Sequence, residues 1–287
     1  RNAYDQMSGY IHIAMLEATN YSFSRYVNTL SGRMEGFGMG GASFANAGNM
    51  ILASRDDVGS DAGNILVAAI NSIKSEGMTG NVNNVSPWGL WAKGYGNLGK
   101  RNGNEISSKY DYRGGGLVIG FDRKISERFL LGVSAGYSYT KVDMNELSEN
   151  GNLSAYQGSI YGAYNSGPLY VHGLVGYGYN RYETTRNIAF GNISRIANGD
   201  YDSHSLSGYL EMGYRLPIDS VSLIPMASLQ AGSLWRGSFT ETDGGALNLG
   251  AENEHASSLI GSLGFKLKKE FRLQGGSAIT PELRVRW

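Results

Sequence analysis

Two glycine-rich motifs formally match signatures of catalysis or cofactor binding. Gly94–Gly99 (GYGNLG) has the spacing of a dinucleotide-binding loop, which must follow a strand and open a helix. Here the motif ends a segment of alternating residues and runs into a polar stretch. Gly132–Gly136 (GVSAG) matches the nucleophile elbow, which needs a sharp turn at its serine. The alternation continues unbroken through Ser134, so we predict that neither motif is a catalytic site.

Other residues that could bind a metal or act as nucleophiles show no functional pattern. The chain has no cysteine, which excludes disulfides, thiolate nucleophiles and zinc–thiolate sites. The four histidines share no ligand-like spacing; they are His12, His172, His204 and His255. We therefore expect a protein without catalytic residues, bound metal or cofactor.

The composition narrows the class of protein further. Of 287 residues, 42 are glycine and 19 are tyrosine, and only 17% are charged, against about 25% in an ordinary soluble domain. The 25 basic and 25 acidic residues cancel, so no net field attracts nucleic acid and we expect no such partner. No apolar run approaches the ~18 residues of a membrane-spanning helix. A glycine- and tyrosine-rich β domain remains.

Two regions of the chain follow different hydrophobic periods. Up to Met34 the apolar residues recur at helical spacing, and a second short helical pattern covers Asn64–Glu76. Pro87 marks the boundary. From Trp88 onward the period is two. We divide the chain into a helical linker or lumen plug, residues 1–87, and a β-barrel, residues 88–287.

The alternating segments indicate membrane-spanning strands rather than a soluble sandwich. In Phe129–Thr140 and Leu169–Asn180 one face is apolar and the other is rich in glycine and serine. Crossing the hydrocarbon takes about 9–11 tilted residues, and these segments are long enough. Tyr137, Tyr139 and Tyr177 lie near segment ends, where an aromatic girdle would sit. The pattern predicts an antiparallel transmembrane β-barrel whose outer face contacts outer-membrane lipid.

The connections between the predicted strands alternate in length, as they do in outer-membrane barrels. The four long ones are Asn97–Lys109, Val142–Asn152, Glu183–Asp202 and Gly237–His255. About nine strands are predicted: 88–96, 110–121, 129–141, 153–164, 169–182, 203–216, 221–235, 256–268 and 278–287. Single-chain bacterial barrels have an even strand number, so we expect the barrel in this chain to lack its last strands.

Several segments together resemble a known family, the translocator (β) domains of autotransporters of the type Va secretion pathway. They are Trp88–Gly96 (WGLWAKGYG), Tyr110–Phe121 (YDYRGGGLVIGF), Leu131–Tyr139 (LGVSAGYSY), Thr184–Gly191 (TTRNIAFG), Gly208–Tyr214 (GYLEMGY), Phe239–Ala246 (FTETDGGA) and Thr280–Trp287 (TPELRVRW). Ala3–His12 and Phe23–Met34 resemble the helical linker that precedes these barrels. The resemblance covers nearly the whole chain.

The resemblance implies a twelve-stranded barrel in the outer membrane of a Gram-negative bacterium. Its implied function is to carry an N-terminal passenger to the cell surface, with help from the barrel-assembly machinery, and to leave the linker helix in the lumen. Some family members release the passenger by asparagine cyclisation in the lumen. Asn28, followed by Thr29, and the pair Asn83–Asn84 match that segment only loosely, so we favour an uncleaved or externally processed linker.

A set of charged residues falls on the predicted inner face: Lys93, Glu211, Arg215, Lys266, Lys268, Glu282, Arg284 and Arg286. We expect these side chains to pair with one another or with the linker helix and to hold it after transit. In a wet lumen each pair would contribute about 0–1 kcal/mol.

Two alternative functions remain open. One is a general porin or channel, which would have no N-terminal plug. The other is a soluble, β-rich adhesin or enzyme fragment.

Overall fold

The N-terminal region forms helices, as its apolar spacing predicts. The computed structural model describes residues 3–37, 87–101, 109–144, 146–219, 221–269, 271–272, 278–279 and 281–287. Helix α1 (Ala3–Met7) and helix α2 (Tyr10–Phe37) are separated at Gly9, whose φ of +66° is disfavoured for other residues. No described helix is long and apolar enough to cross a membrane. The second predicted helical segment, Asn64–Glu76, lies outside the described residues.

The rest of the described chain is almost entirely antiparallel sheet. Its strands are β1 (Trp88–Arg101), β2 (Tyr110–Ser126), β3 (Phe129–Met144), β4 (Glu149–Ser166), β5 (Leu169–Phe190), β6 (Ile193–Tyr214), β7 (Leu216–Ile218), β8 (Val221–Arg236), β9 (Phe239–Thr240), β10 (Gly250–Ala251), β11 (Glu254–Lys269), β12 (Phe271–Arg272), β13 (Ala278–Ile279) and β14 (Glu282–Arg286). The main sheet runs β1-β2-β3-β4-β5-β6-β8-β11-β14, and β7 pairs with β8 beside this path. Within the described ranges, this nine-strand path confirms the predicted strand count and antiparallel order.

Two of the predicted long loops are wrong, because the strands continue through them. Strands β3 and β4 are joined between Met144 and Glu149, and β5 and β6 pair as far as Phe190 and Ile193. The polar residues in these segments keep the period-two alternation, so one face stays buried beyond the apolar stretch. The connection between β8 and β11 is long, and it carries β9, β10 and a short 3₁₀ turn, Gly245–Leu247.

The outer face of the sheet carries an apolar belt of about the height of a bilayer. Along β5 the outward residues from Leu169 to Tyr177 include exposed aliphatic and aromatic side chains. The next charged outward residues are Arg181 and Glu183. Since about 9–11 residues cross the hydrocarbon, the 22 residues of β5 reach well past the belt on the long-loop side. We call that end the outer mouth and the short-turn end the inner mouth.

The inner face encloses α2. Side chains of α2 contact β1 and β2 at one end of the path and β11 and β14 at the other, so the sheet curls around the helix. Glycine and serine occur on this face as predicted, but so do many tyrosines, which the prediction of an outer girdle did not include. The buried inner-face tyrosines are Tyr110, Tyr161, Tyr170, Tyr182, Tyr201 and Tyr209.

Candidate functional site: a helix held at both mouths of the lumen

The middle of α2 is held to the sheet by hydrogen bonds between small polar groups. Thr19 bonds the Tyr182 hydroxyl at 2.8 Å, and Ser22 bonds Ser138 at 2.6 Å. The Tyr26 hydroxyl lies 2.8 Å from Ser134 Oγ. Ser134, the serine of the GVSAG motif, lies inside β3 and bonds only to other hydroxyls among the contacts described for it, so the geometry of a nucleophile elbow is not present.

At the inner mouth one carboxylate of the helix meets three cations of the sheet. Glu35 accepts from Lys266 at 2.5 Å, from Lys268 at 3.2 Å and from Arg284 at 2.6 Å. Lys266 of β11 is the direct cross-strand partner of Arg284 on β14, and Lys268 lies two residues farther along β11. This cluster joins the last turn of α2 to the far end of the sheet path.

Glu211 of β6 forms the second half of the inner-mouth cluster. Its carboxylate accepts from Lys266 at 2.7 Å and from Arg286 at 2.6 Å. The Tyr170 and Tyr209 hydroxyls also donate to it, at 3.0 and 2.7 Å. Lys266 therefore bridges two carboxylates, one on the helix and one on the sheet, and only 1% of its surface is exposed.

The remaining predicted inner-face charges, Glu282, Lys93 and Arg215, each have different neighbours. Glu282 pairs with Lys268 at 2.7 Å and Arg284 at 2.8 Å. The Lys93 ammonium lies beside Gly32 of the helix. Arg215 donates to the Asn165 side-chain oxygen at 2.9 Å and lies over the Tyr170 ring, and it takes part in none of the ion pairs described for α2. The ion pairs that Lys266 makes with Glu35 and Glu211 are buried. The expectation of a wet lumen with weak pairs is therefore wrong for them, because breaking a buried pair costs about 3–5 kcal/mol.

A further buried network, which joins α2 to the sheet, was not predicted from the sequence. Arg33 of α2 donates through Nε and Nη2 to Asp122 of β2, at 2.8 and 2.9 Å. Tyr161 donates to the same carboxylate at 2.7 Å, and Trp91 Nε1 donates to the Tyr161 hydroxyl at 2.7 Å. Asp122 lies one residue beyond the predicted strand 110–121, yet β2 continues past it and keeps it on the inner face.

At the outer mouth the long loop between β8 and β11 folds back onto the first turn of α2. Glu241 of this loop lies 2.9 Å from His12 Nε2 and accepts two bonds from Arg186, at 2.8 and 2.6 Å. Arg186 also donates to the Gln6 carbonyl at 2.8 Å and to the Leu247 carbonyl at 3.1 Å. We call His12, Arg186 and Glu241 the outer latch.

The outer latch predicts a specific pH dependence. Burial by itself raises the pKa of Glu241, but hydrogen bonds from His12, Arg186 and the Leu249 N–H outweigh it and lower the pKa from 4.5 to about 2. A lowered pKa stabilises the fold above the unfolded-state value, and this contribution disappears as the pH falls through about 2. At about 1.4 kcal/mol per pH unit, the ionised carboxylate contributes about 3 kcal/mol at neutral pH.

Glu241→Gln should therefore lower the free energy of unfolding by about 3 kcal/mol above pH 5. The difference from the parent protein should shrink towards zero as the pH falls to about 2. Urea unfolding of both proteins across this range measures it, and NMR of ¹³C-labelled carboxyls gives the pKa directly. A Glu241 carboxyl that titrates near 4.5 would contradict the latch.

Of the two candidate processing residues, Asn28 and Asn83, the structure describes only Asn28. Asn28 lies within α2 and is exposed, and the hydroxyl of the following Thr29 donates to the Arg25 carbonyl inside the same helix. Asn83 lies outside the described residues. Nothing around Asn28 in the described contacts distinguishes it from an ordinary exposed helix residue.

An antiparallel sheet with an apolar outer belt, curled around an N-terminal helix and bonded to it at both ends, defines the class of outer-membrane barrel that encloses its own N-terminal helix. The model of the family described as autotransporter beta-domain matches residues 90–287. The chain belongs to this family, which places it in the Gram-negative outer membrane.

Individual relatives agree with this assignment. The translocator domain of NalP from Neisseria meningitidis has a TM-score of 0.59 at 17% identity, over 78% of this chain and 76% of that one. The β domain of the Bordetella autotransporter BrkA has a TM-score of 0.55 at 22% identity, over 70% and 78%. An extracellular serine protease of Serratia marcescens is 27% identical over 64% of this chain. The chain spans only 17% of that relative's length.

Proposed function

We propose that this chain is the membrane-embedded translocator that exports an N-terminal passenger and then keeps it attached through the plug helix. The observation that supports the proposal is the direction of α2. Its first turn lies at the outer mouth with Arg186 and Glu241, and its last turn lies at the inner mouth with Lys266. The N-terminal end of the described helices, at Ala3, therefore lies on the long-loop side, where an exported passenger must be.

In this proposal residues 1–87 are the linker and plug, and residues 88–287 are the barrel. The barrel-assembly machinery is the proposed partner during insertion, because family membership implies an exported barrel. The chain itself carries no catalysis in this proposal, and any enzymatic activity would belong to the passenger. The inner-mouth cluster and the outer latch keep the helix in place once the passenger has crossed.

Surface display of the N-terminal side tests this function. In the full-length protein, an epitope inserted before Ala3 should be labelled by antibody on intact cells, whereas an epitope in the turn Glu127–Arg128 should be labelled only after the outer membrane is opened. Labelling of both epitopes only after permeabilisation would contradict export.

Conductance in bilayers and partition into detergent distinguish the translocator from the two alternatives, a general porin and a soluble adhesin. A plugged translocator should show little conductance in planar bilayers until residues 3–37 are deleted. A general porin would conduct steadily with these residues present. A soluble adhesin would stay in the aqueous phase and would not show heat-modifiable migration on a gel.

A further inference from the structure

Two cations face each other on the outer surface just above the apolar belt. Arg113 of β2 and Lys141 of β3 are direct cross-strand partners, and both alternate to the outer face. Like charges placed directly opposite on neighbouring strands repel each other. Their lateral neighbours in the same row, Leu98 on β1 and Asn152 on β4, are uncharged.

Only part of this positive charge is neutralised within the protein. Lys141 lies 3.2 Å from Asp143 on the same strand, one row farther from the membrane. Arg113 is exposed, and no ion pair to it is found among the described residues. Two other outward cations of this end have acidic partners of their own, since Lys100 lies 3.9 Å from Asp111 and Arg181 lies 2.9 Å from Asp200.

Directly below the two cations the sheet carries a shelf without side chains. Gly96 of β1 pairs with Gly115 of β2, and Gly115 pairs with Tyr139 of β3. A Cβ placed on Gly96 or Gly115 would meet only backbone oxygens within 4 Å, at 3.7 and 3.3 Å. The shelf is thus open on its outer side, neighbours Tyr139 in the strand register, and is continuous with the belt that contacts lipid.

We propose that Arg113 and Lys141 bind the phosphate of an outer-leaflet lipid, whose body lies on the Gly96–Gly115 shelf against Tyr139. The inference rests on the membrane orientation in the proposed function. The partner is lipid rather than free phosphate because the cations lie at the edge of the belt, at headgroup height on the outer side. Two cations match a phosphate in charge, and the anion would relieve the repulsion between them.

Native mass spectrometry of the detergent-solubilised full-length protein tests the proposal, with diphosphoryl lipid A as the probe. The parent protein should bind it, and the double variant Arg113→Ser/Lys141→Ser should bind at least tenfold more weakly. The matched control, Lys100→Ser/Arg181→Ser, loses two outward cations from the same end and should bind within twofold of the parent. Heat-modifiable migration shows whether each variant is folded.

Two further binding measurements distinguish recognition of the phosphate from contact of the lipid with the shelf. Lipid A from which both phosphates have been removed should bind the parent protein as weakly as the double variant binds the intact lipid. Gly96→Leu fills the shelf and leaves both cations in place, so it should also weaken binding. Equal weakening by the control pair, unchanged binding of the dephosphorylated lipid, or unchanged binding to Gly96→Leu would overturn the proposal. Surface display of the passenger, by contrast, should be retained in all these variants, so failure here leaves the translocator function standing.

Discussion

Replacing Glu35 with lysine is expected to release α2 from the inner mouth and to open an ion-conducting path through the lumen. The carboxylate is the group through which the last turn of the helix meets Lys266, Lys268 and Arg284. A fourth cation there would repel all three, in a buried site where losing one partner costs about 3–5 kcal/mol. Single-channel recordings of the full-length protein should change from largely closed to frequent open events.

The control for this change is Asn28→Lys, which introduces the same cationic side chain into the same helix at an exposed position. It should leave conductance close to that of the parent protein. Glu35→Gln should fall between the two, because it removes the attraction without adding repulsion. If Glu35→Lys and Asn28→Lys conduct alike, the inner-mouth cluster does not hold the helix.

Replacing Arg186 with methionine is expected to have the largest effect at the outer mouth. Arg186 is fully buried and donates to Glu241 and to the Gln6 and Leu247 carbonyls. Methionine fills similar space but leaves the Glu241 carboxylate with His12 and the Leu249 N–H. We expect a loss of about 3–5 kcal/mol in unfolding free energy, together with faster hydrogen exchange in residues 3–15 and 239–251.

A matched control lies on the other face of the same strand. Arg181 also pairs with acidic side chains, but its side chain is 53% exposed, and exposed pairs contribute only about 0–1 kcal/mol. Arg181→Met should therefore change stability little. The double variant Arg186→Met/Glu241→Leu should be less damaged than Arg186→Met alone, because no unpaired charge stays buried. Equal losses for Arg181→Met and Arg186→Met would count against the latch.

Within the segments where the alternation was recognised, the sequence was sufficient to predict which face is turned inward and which is turned to lipid. Period-two alternation is a local property, so it places Phe129 outside and Ser134 inside without knowledge of any partner strand. It likewise places Lys266 and Glu211 on one face. Where that alternation became polar, at Glu183–Asp202, we predicted a loop, because the lipid-facing residues end there while the inner face continues.

The partners of the inner-face charges could not be predicted in the same way. Glu35 and Lys266 are separated by 231 residues, and Arg186 and Glu241 by 55. The first meeting depends on the vertical position of α2 inside the sheet, and the second depends on the loop between β8 and β11 folding back over the lumen. No local period records either of them. The inner tyrosines were missed for a related reason, since a helix in the lumen provides a surface against which large side chains such as Tyr182 and Tyr209 can pack.

The contacts of α2 are spread along its whole length, from His12 at one end through Thr19 and Tyr26 to Glu35 at the other. Most of them run sideways from the helix to the wall. A mechanical pull on the outer-mouth end of α2 would act along the helix axis, and a helix transmits it through its own backbone bonds. The wall contacts would then be strained in shear, shared by several strands together, rather than peeled one after another. The same architecture that closes the lumen would thus serve as a tether against drag at the cell surface.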